Sequence, residues 1–81
     1  MELKETVGLM NSSDYKARFK AEYLQTKIRY DKLDKMLIKH EAGVLDFTPN
    51  CPIEILENQL YYMKQYLDTL RIRAEIEKIE L

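Results

Sequence analysis

Cys51 and His40 are the only thiol and the only imidazole of the chain, and so the one pair that offers a nucleophile with a base. They flank the same stretch of sequence and can approach each other. Nothing nearby supplies the third, orienting group of a thiolate–histidine machine, nor an oxyanion-binding turn. A cap residue and a helix-terminal histidine account for both, since a cation near a helix C-terminus is favourable. One Cys and one His also exclude a zinc site assembled from such ligands within one chain. Acid pairs occur at Asp31/Asp34, Glu54/Glu57 and Glu75/Glu77, without a Glu-x-x-His. Di-metal carboxylate bundles need that motif. The acids alternate with Lys32, Lys35 and Lys78, as on a solvated face. The residues predict no enzyme, no metal and no cofactor.

Binding chemistry is a second reading of the residues, set against a plain solvated surface. Lys16, Arg18 and Lys20 open the first long helical pattern, and Arg71 and Arg73 close the second. Tyr15, Tyr23 and Tyr66 lie within a few turns of them. In an antiparallel hairpin all of these gather at one end. Guanidinium and ammonium groups bind phosphate, and tyrosine rings stack on bases. Free N–H groups around Ser12-Ser13-Asp14 add a second anion-favouring feature. Tyr15, Lys16, Arg18, Lys20, Tyr66, Arg71 and Arg73 are therefore the candidate ligand residues. A plain solvated surface is the competing explanation: residues 13–42 carry eight Lys/Arg and five Asp/Glu, residues 52–81 four and six, so the two helices are complementary in charge. Tyr23 also falls on a core stripe and can serve packing alone.

The elements that position these groups are helical. Leu3, Val7 and Met10 make one face of a short amphipathic segment, residues 1–12, too short to stand alone. A helix signal at Ser12-Ser13-Asp14 precedes a pattern over about 14–42 whose stripe is Phe19, Tyr23, Thr26, Tyr30, Leu33, Leu37 and His40. Ala17, Ala21, Leu24 and Ile28 widen it, and Gly43 suits a left-handed C-cap. Residues 43–51 connect, with Val44, Leu45 and Phe47 expected to fold over the hairpin end. Cys51 is the expected N-cap of a helix over about 52–80, with Pro52 in its first turn. Its stripe is Ile53, Leu56, Leu60, Met63, Leu67, Leu70, Ala74 and Leu81, interrupted at Glu77. The hairpin, residues 13–81, leaves Ile55, Tyr61, Tyr62, Tyr66, Ile72 and Ile76 off this seam. An apolar surface of that width predicts an interface.

Eighty-one residues allow a single domain. The apolar fraction of 46%, the charged fraction of 33% and the two glycines and two prolines describe a folded helical chain. A net charge of −1 argues against direct DNA binding, which draws on strongly basic surfaces. No stretch has the length and apolarity of a membrane span or a signal-peptide core. The lone cysteine fits a reducing cytoplasm.

Phe19-x-x-Glu22-Tyr23, Arg29-Tyr30-x-Lys32-Leu33, Leu45-x-Phe47 and Gln59-Leu60-x-x-Met63-x-x-Tyr66-Leu67-x-x-Leu70-x-x-Arg73-Ala74 carry a resemblance over nearly the whole chain. With these residues it resembles a family of small helical proteins of gut bacteriophages, crAss-like phages and phages of Firmicutes. The short helix and long hairpin are similar in architecture to the phage sponge proteins that counter CBASS and Thoeris defence. That similarity implies symmetric oligomers that hold cyclic nucleotide signals between protomers, through aromatic and basic residues, in the cytoplasm of the infected host. The joint expectation is an all-α fold, a short N-terminal helix plus a long antiparallel hairpin, in a homo-oligomeric bundle or ring. Its expected work is sequestration of a cyclic oligonucleotide or cyclic ADP-ribose-type signal without catalysis. A helical inhibitor or adaptor that grips a host or phage protein is the alternative.

Overall fold

A computed structural model describes all residues, Met1–Leu81. All of its regular structure is helical, with no strand. A 3₁₀ turn, Leu3–Thr6, runs into the single-turn helix α1, Val7–Met10. Two long helices follow, α2 over Tyr15–Glu41 and α3 over Ile53–Glu77, packed against each other as an antiparallel hairpin.

The start of α2 is held as its sequence demands. The Asp14 carboxylate accepts from the Lys16 backbone N–H at 3.0 Å, and the Ser12 hydroxyl accepts from that of Asp14 at 3.1 Å. At the other end Gly43 adopts φ 77°, and the Gly43 and Val44 N–H groups donate to the His40 and Lys39 carbonyls. This paired closure satisfies the last orphan carbonyls and needs a residue tolerant of positive φ.

The cap of α3 differs from expectation. Pro52, not Cys51, is the N-cap, with ψ 141°, and its carbonyl accepts from the Ile55 and Leu56 N–H groups. Proline has no side-chain acceptor, so only the Glu54 carboxylate in the first turn favours the positive helix end. α3 also stops at Glu77, short of residue 80. Lys78 turns left-handed at φ 57° and ψ 48°, and the Ile79 N–H reaches back to the Ala74 carbonyl at 2.8 Å. Ile79 then lies against the core, the apolar contact that accompanies such closures. Of the three apolar residues expected to cover the hairpin end, Leu45 is half-buried, while Val44 and Phe47 are exposed and do not cover it.

The core is thin and one-sided. Phe19, Tyr23, Leu67, Leu70 and Ala74 form its cluster, with Leu24, Tyr30 and Ile79 packed around it. These lie at the start of α2 and the end of α3. Toward the connection only Leu37 is fully buried, while Tyr30, Leu33, Leu56, Leu60 and Met63 are half-buried.

The N-terminal segment explains much of the extra apolar width of α2. It lies along that helix, where Ala21 is buried and Ala17, Leu24 and Ile28 are partly covered. Thr6, wholly buried, donates to the Leu3 carbonyl at 2.7 Å and accepts from the Gln25 side-chain amide at 2.8 Å. The short helix thus gains the support that its length requires. The outer residues of α3, Ile55, Tyr61, Tyr62, Tyr66, Ile72 and Ile76, stay exposed.

Candidate functional site

The basic end of the hairpin divides into two flanks. At about 100° per residue, Arg71 and Arg73 point roughly 200° apart around α3. Leu70 and Ala74 fill the space between them, facing α2.

On one flank, the Arg73 guanidinium sits 4.7 Å from the centre of the Phe19 ring, and its Nε donates to Glu77 at 2.7 Å. Tyr15 and Lys16, at the start of α2, lie near enough to act on the Glu77 carboxylate. Glu77 is held below its ordinary value of 4.5, first by the Arg73 hydrogen bond and then by the surrounding positive charge and the Tyr15 hydroxyl. Arg73 is correspondingly held above its ordinary range. Tyr66 lies seven residues, about two turns, before Arg73 on the same side of α3, and is exposed.

On the other flank, Arg71 donates through Nε to the Tyr23 hydroxyl at 3.1 Å, with its guanidinium 5.9 Å from the Tyr23 ring centre. Asp68 lies 4.0 Å from its Nη1. The hydrogen bond to Tyr23, before any charge, raises the Arg71 pKa. It also explains a tyrosine on the core stripe: the ring is buried and the hydroxyl finds its partner at the surface. Tyr23, Arg71, Ile72, Glu75, Lys78 and Leu81 line a groove of about 710 Å³ here.

Arg18 parts company with these two arginines. Arg18 turns back, donating through Nη1 to the Ser12 carbonyl at 2.8 Å, and so braces the entry to α2. Lys20 is half-buried and Lys16 exposed. Tyr15, Lys16, Tyr66 and Arg73 thus share one flank, Arg71 occupies the other, and Arg18 stands apart. Phe19 and Glu77 were not anticipated as partners of the arginines. Their signal was present, because Arg73 and Glu77 are four residues apart on one helix.

The connection end holds a second groove, about 740 Å³, lined by Tyr30, Asp34, His40, Glu57, Tyr61 and Lys64 among others. His40 belongs to it and Cys51 does not, and no hydrogen bond joins the two. No three His, Cys, Asp or Glu residues gather closely enough to hold a metal ion. No helix is long and apolar enough to cross a membrane.

On each flank a guanidinium lies beside an aromatic ring with an acid close by, Glu77 at Arg73 and Asp68 at Arg71. Guanidinium and ring together are groups of a kind suited to anionic, planar ligands. No curated protein and no solved structure matches the chain. The Sequestin family model matches residues 13–76, which take in α2 and all of α3 but its last residue. This agrees with the small helical sequestering family that the sequence resembles, and the chain belongs to the Sequestin family.

Proposed function

We propose that this protein binds and holds a nucleotide immune signal, of cyclic oligonucleotide or cyclic ADP-ribose type, without turning it over. It would act as a phage counter-defence protein in the cytoplasm of the infected bacterium. The observation that carries the reading is the Arg73 guanidinium, half exposed and held 4.7 Å over the Phe19 ring. A guanidinium already oriented loses less freedom when a phosphate arrives. Glu77 now occupies the edge that a phosphate would take. Tyr15 and Tyr66 supply rings for a base, and Lys16 further charge. Membership of the Sequestin family supports the same reading.

Affinity bounds the architecture. A micromolar complex needs about 8 kcal/mol, and each base stack or charged contact gives about 1–3 kcal/mol. One flank of one hairpin offers too few contacts, so the ligand pocket lies between chains of a homo-oligomer.

Native mass spectrometry with a panel of cyclic di- and trinucleotides and cyclic ADP-ribose isomers tests this reading. At least one should bind, raise the melting temperature and be recovered unchanged after denaturation. Arg71→Ala with Arg73→Ala should weaken binding by about tenfold or more, 1.4 kcal/mol, with helicity retained. The single variants then report which flank contributes. A panel without any bound mass refutes the proposal. It favours the helical inhibitor or adaptor, which the exposed Tyr61, Tyr62, Ile72 and Ile76 would serve as a grip.

A further inference from the structure

The outward face of α3 carries a second stripe, separate from the hairpin seam. Ile55, Tyr62, Tyr66, Thr69, Arg73 and Ile76 follow one another at spacings of seven, four, three, four and three. That is a heptad seam, the pattern by which helices pair along their length. Its four large apolar members are exposed by 42% to 74%. We infer that this face packs against the same face of a second copy, antiparallel, about a two-fold axis between Gln65 and Tyr66. The inference rests on the oligomer of the function proposed above and names the surface that forms it.

Three observations select a second copy as the occupant. The first is area. The chain exposes 6038 Å². A compact monomer of 9.7 kDa exposes about 5100 Å². The excess, about 900 Å², is close to the ~800 Å² that one partner contributes to a standard interface. The radius of gyration agrees, at 14.9 Å against about 11.7 Å for a compact chain of this length.

The second is self-complementarity. Reversal about the point between Gln65 and Tyr66 carries Ile55 onto Ile76 and Tyr62 onto Thr69. Large apolar residues meet at both ends, a small residue faces a ring nearer the middle, and the two Tyr66 rings meet at the axis. A two-fold interface must be complementary to itself in this way. The third is charge. The front of α3 carries only Glu54 and Glu57, whereas Lys64 to Lys78 carries four cations and three acids. Antiparallel pairing sets the acidic front against a rear of one net positive charge and places Arg73 opposite Asn58 of the other copy, one position from Glu57; Glu54 then faces Glu77, whose carboxylate Arg73 already holds. Parallel pairing would set acids on acids.

Multi-angle light scattering across a wide concentration range should give twice the chain mass. Tyr62→Glu with Ile76→Glu should give the monomer mass with unchanged helicity by circular dichroism, since both residues are exposed in the single chain. Orientation is read by cross-linking in a Cys51→Ser background. Tyr62→Cys mixed with Thr69→Cys should form a disulfide-linked pair. Neither alone should do so, because each then lies about 10.5 Å along the axis from its own copy, beyond the ~7 Å reach of a disulfide. A wild-type monomer, a dimer that survives the double glutamate variant, or self-cross-linking by Tyr62→Cys overturns the inference. If wild type is monomeric and still binds a nucleotide, the seam fails while the ligand reading stands. If it is dimeric and binds none, the reverse holds.

Discussion

Replacing Lys78 by glycine should stabilise this protein. Lys78 closes α3 in the left-handed conformation, φ 57° and ψ 48°. For an L-residue with a Cβ this conformation costs about 1–2 kcal/mol. Glycine removes that cost but raises the entropy of the unfolded chain, which takes back about 0.5–1 kcal/mol. The lysine head makes no salt bridge, and its side chain is exposed, so little else is lost. The net gain should be about 0.5–1 kcal/mol. In a chain of this size that corresponds to a rise of roughly 2–8 °C in Tm, scaled from ~4–8 °C per kcal/mol. Urea unfolding followed by circular dichroism, at matched protein concentration, should move the midpoint upward with an unchanged slope. Lys78→Val should move it downward, because a β-branched residue tolerates positive φ least. If Lys78→Gly is neutral or destabilising, helix closure through Ile79 and Ala74 is not how α3 ends.

Three other perturbations probe separate parts of the molecule. Thr6→Val removes the hydroxyl that links Leu3 and Gln25 while keeping its shape; it should cost about 1–3 kcal/mol in opening the N-terminal segment, seen as faster amide exchange over residues 3–10 with the α2–α3 core unchanged. Glu77, held below its ordinary 4.5 by Arg73, stabilises the fold above that value and ceases to do so as the pH falls through its lowered pKa. Carboxyl NMR should place its titration below the ordinary range, and Arg73→Ala should return it there. Cys51→Ser should change stability by less than about 0.5 kcal/mol, by urea midpoint, because Pro52 and not Cys51 caps α3.

What could be read from the residues follows from how local the cause is. The stripe Phe19, Tyr23, Leu67, Leu70 and Ala74 is periodic, and periodicity survives into the core. Asp14 and Gly43 act on backbone groups within a few residues, so their capping roles are visible in the chain order. The shift of the α3 cap from Cys51 to Pro52 depends on a backbone angle that neither side chain dictates. The left-handed Lys78 carries no glycine or asparagine to announce it. Thr6 and Gln25 meet across nineteen residues of sequence, and only the path of the N-terminal segment over α2 brings them together. The division of the basic end was available in principle, since two residues along a helix reverse a side chain's direction. Gathering Arg71 and Arg73 at one end obscured which way each of them turns.

The one-sided core has a kinetic consequence. Phe19 and Leu70 are joined by some fifty residues of chain, so core contacts at this end close long loops. Contacts beside the turn close short loops at little entropic cost, but there only Leu37 is fully buried. The entropy of loop closure grows as about (3/2)RT ln n, so the best contacts are the costliest to initiate. A hairpin that zipped up from its turn would spend its early steps gaining little apolar burial. Folding should therefore show few stable partial states and a transition state in which the two ends of the hairpin already touch. Truncation at Phe19 or Leu70 should slow folding, while truncation at Leu37 should mainly speed unfolding.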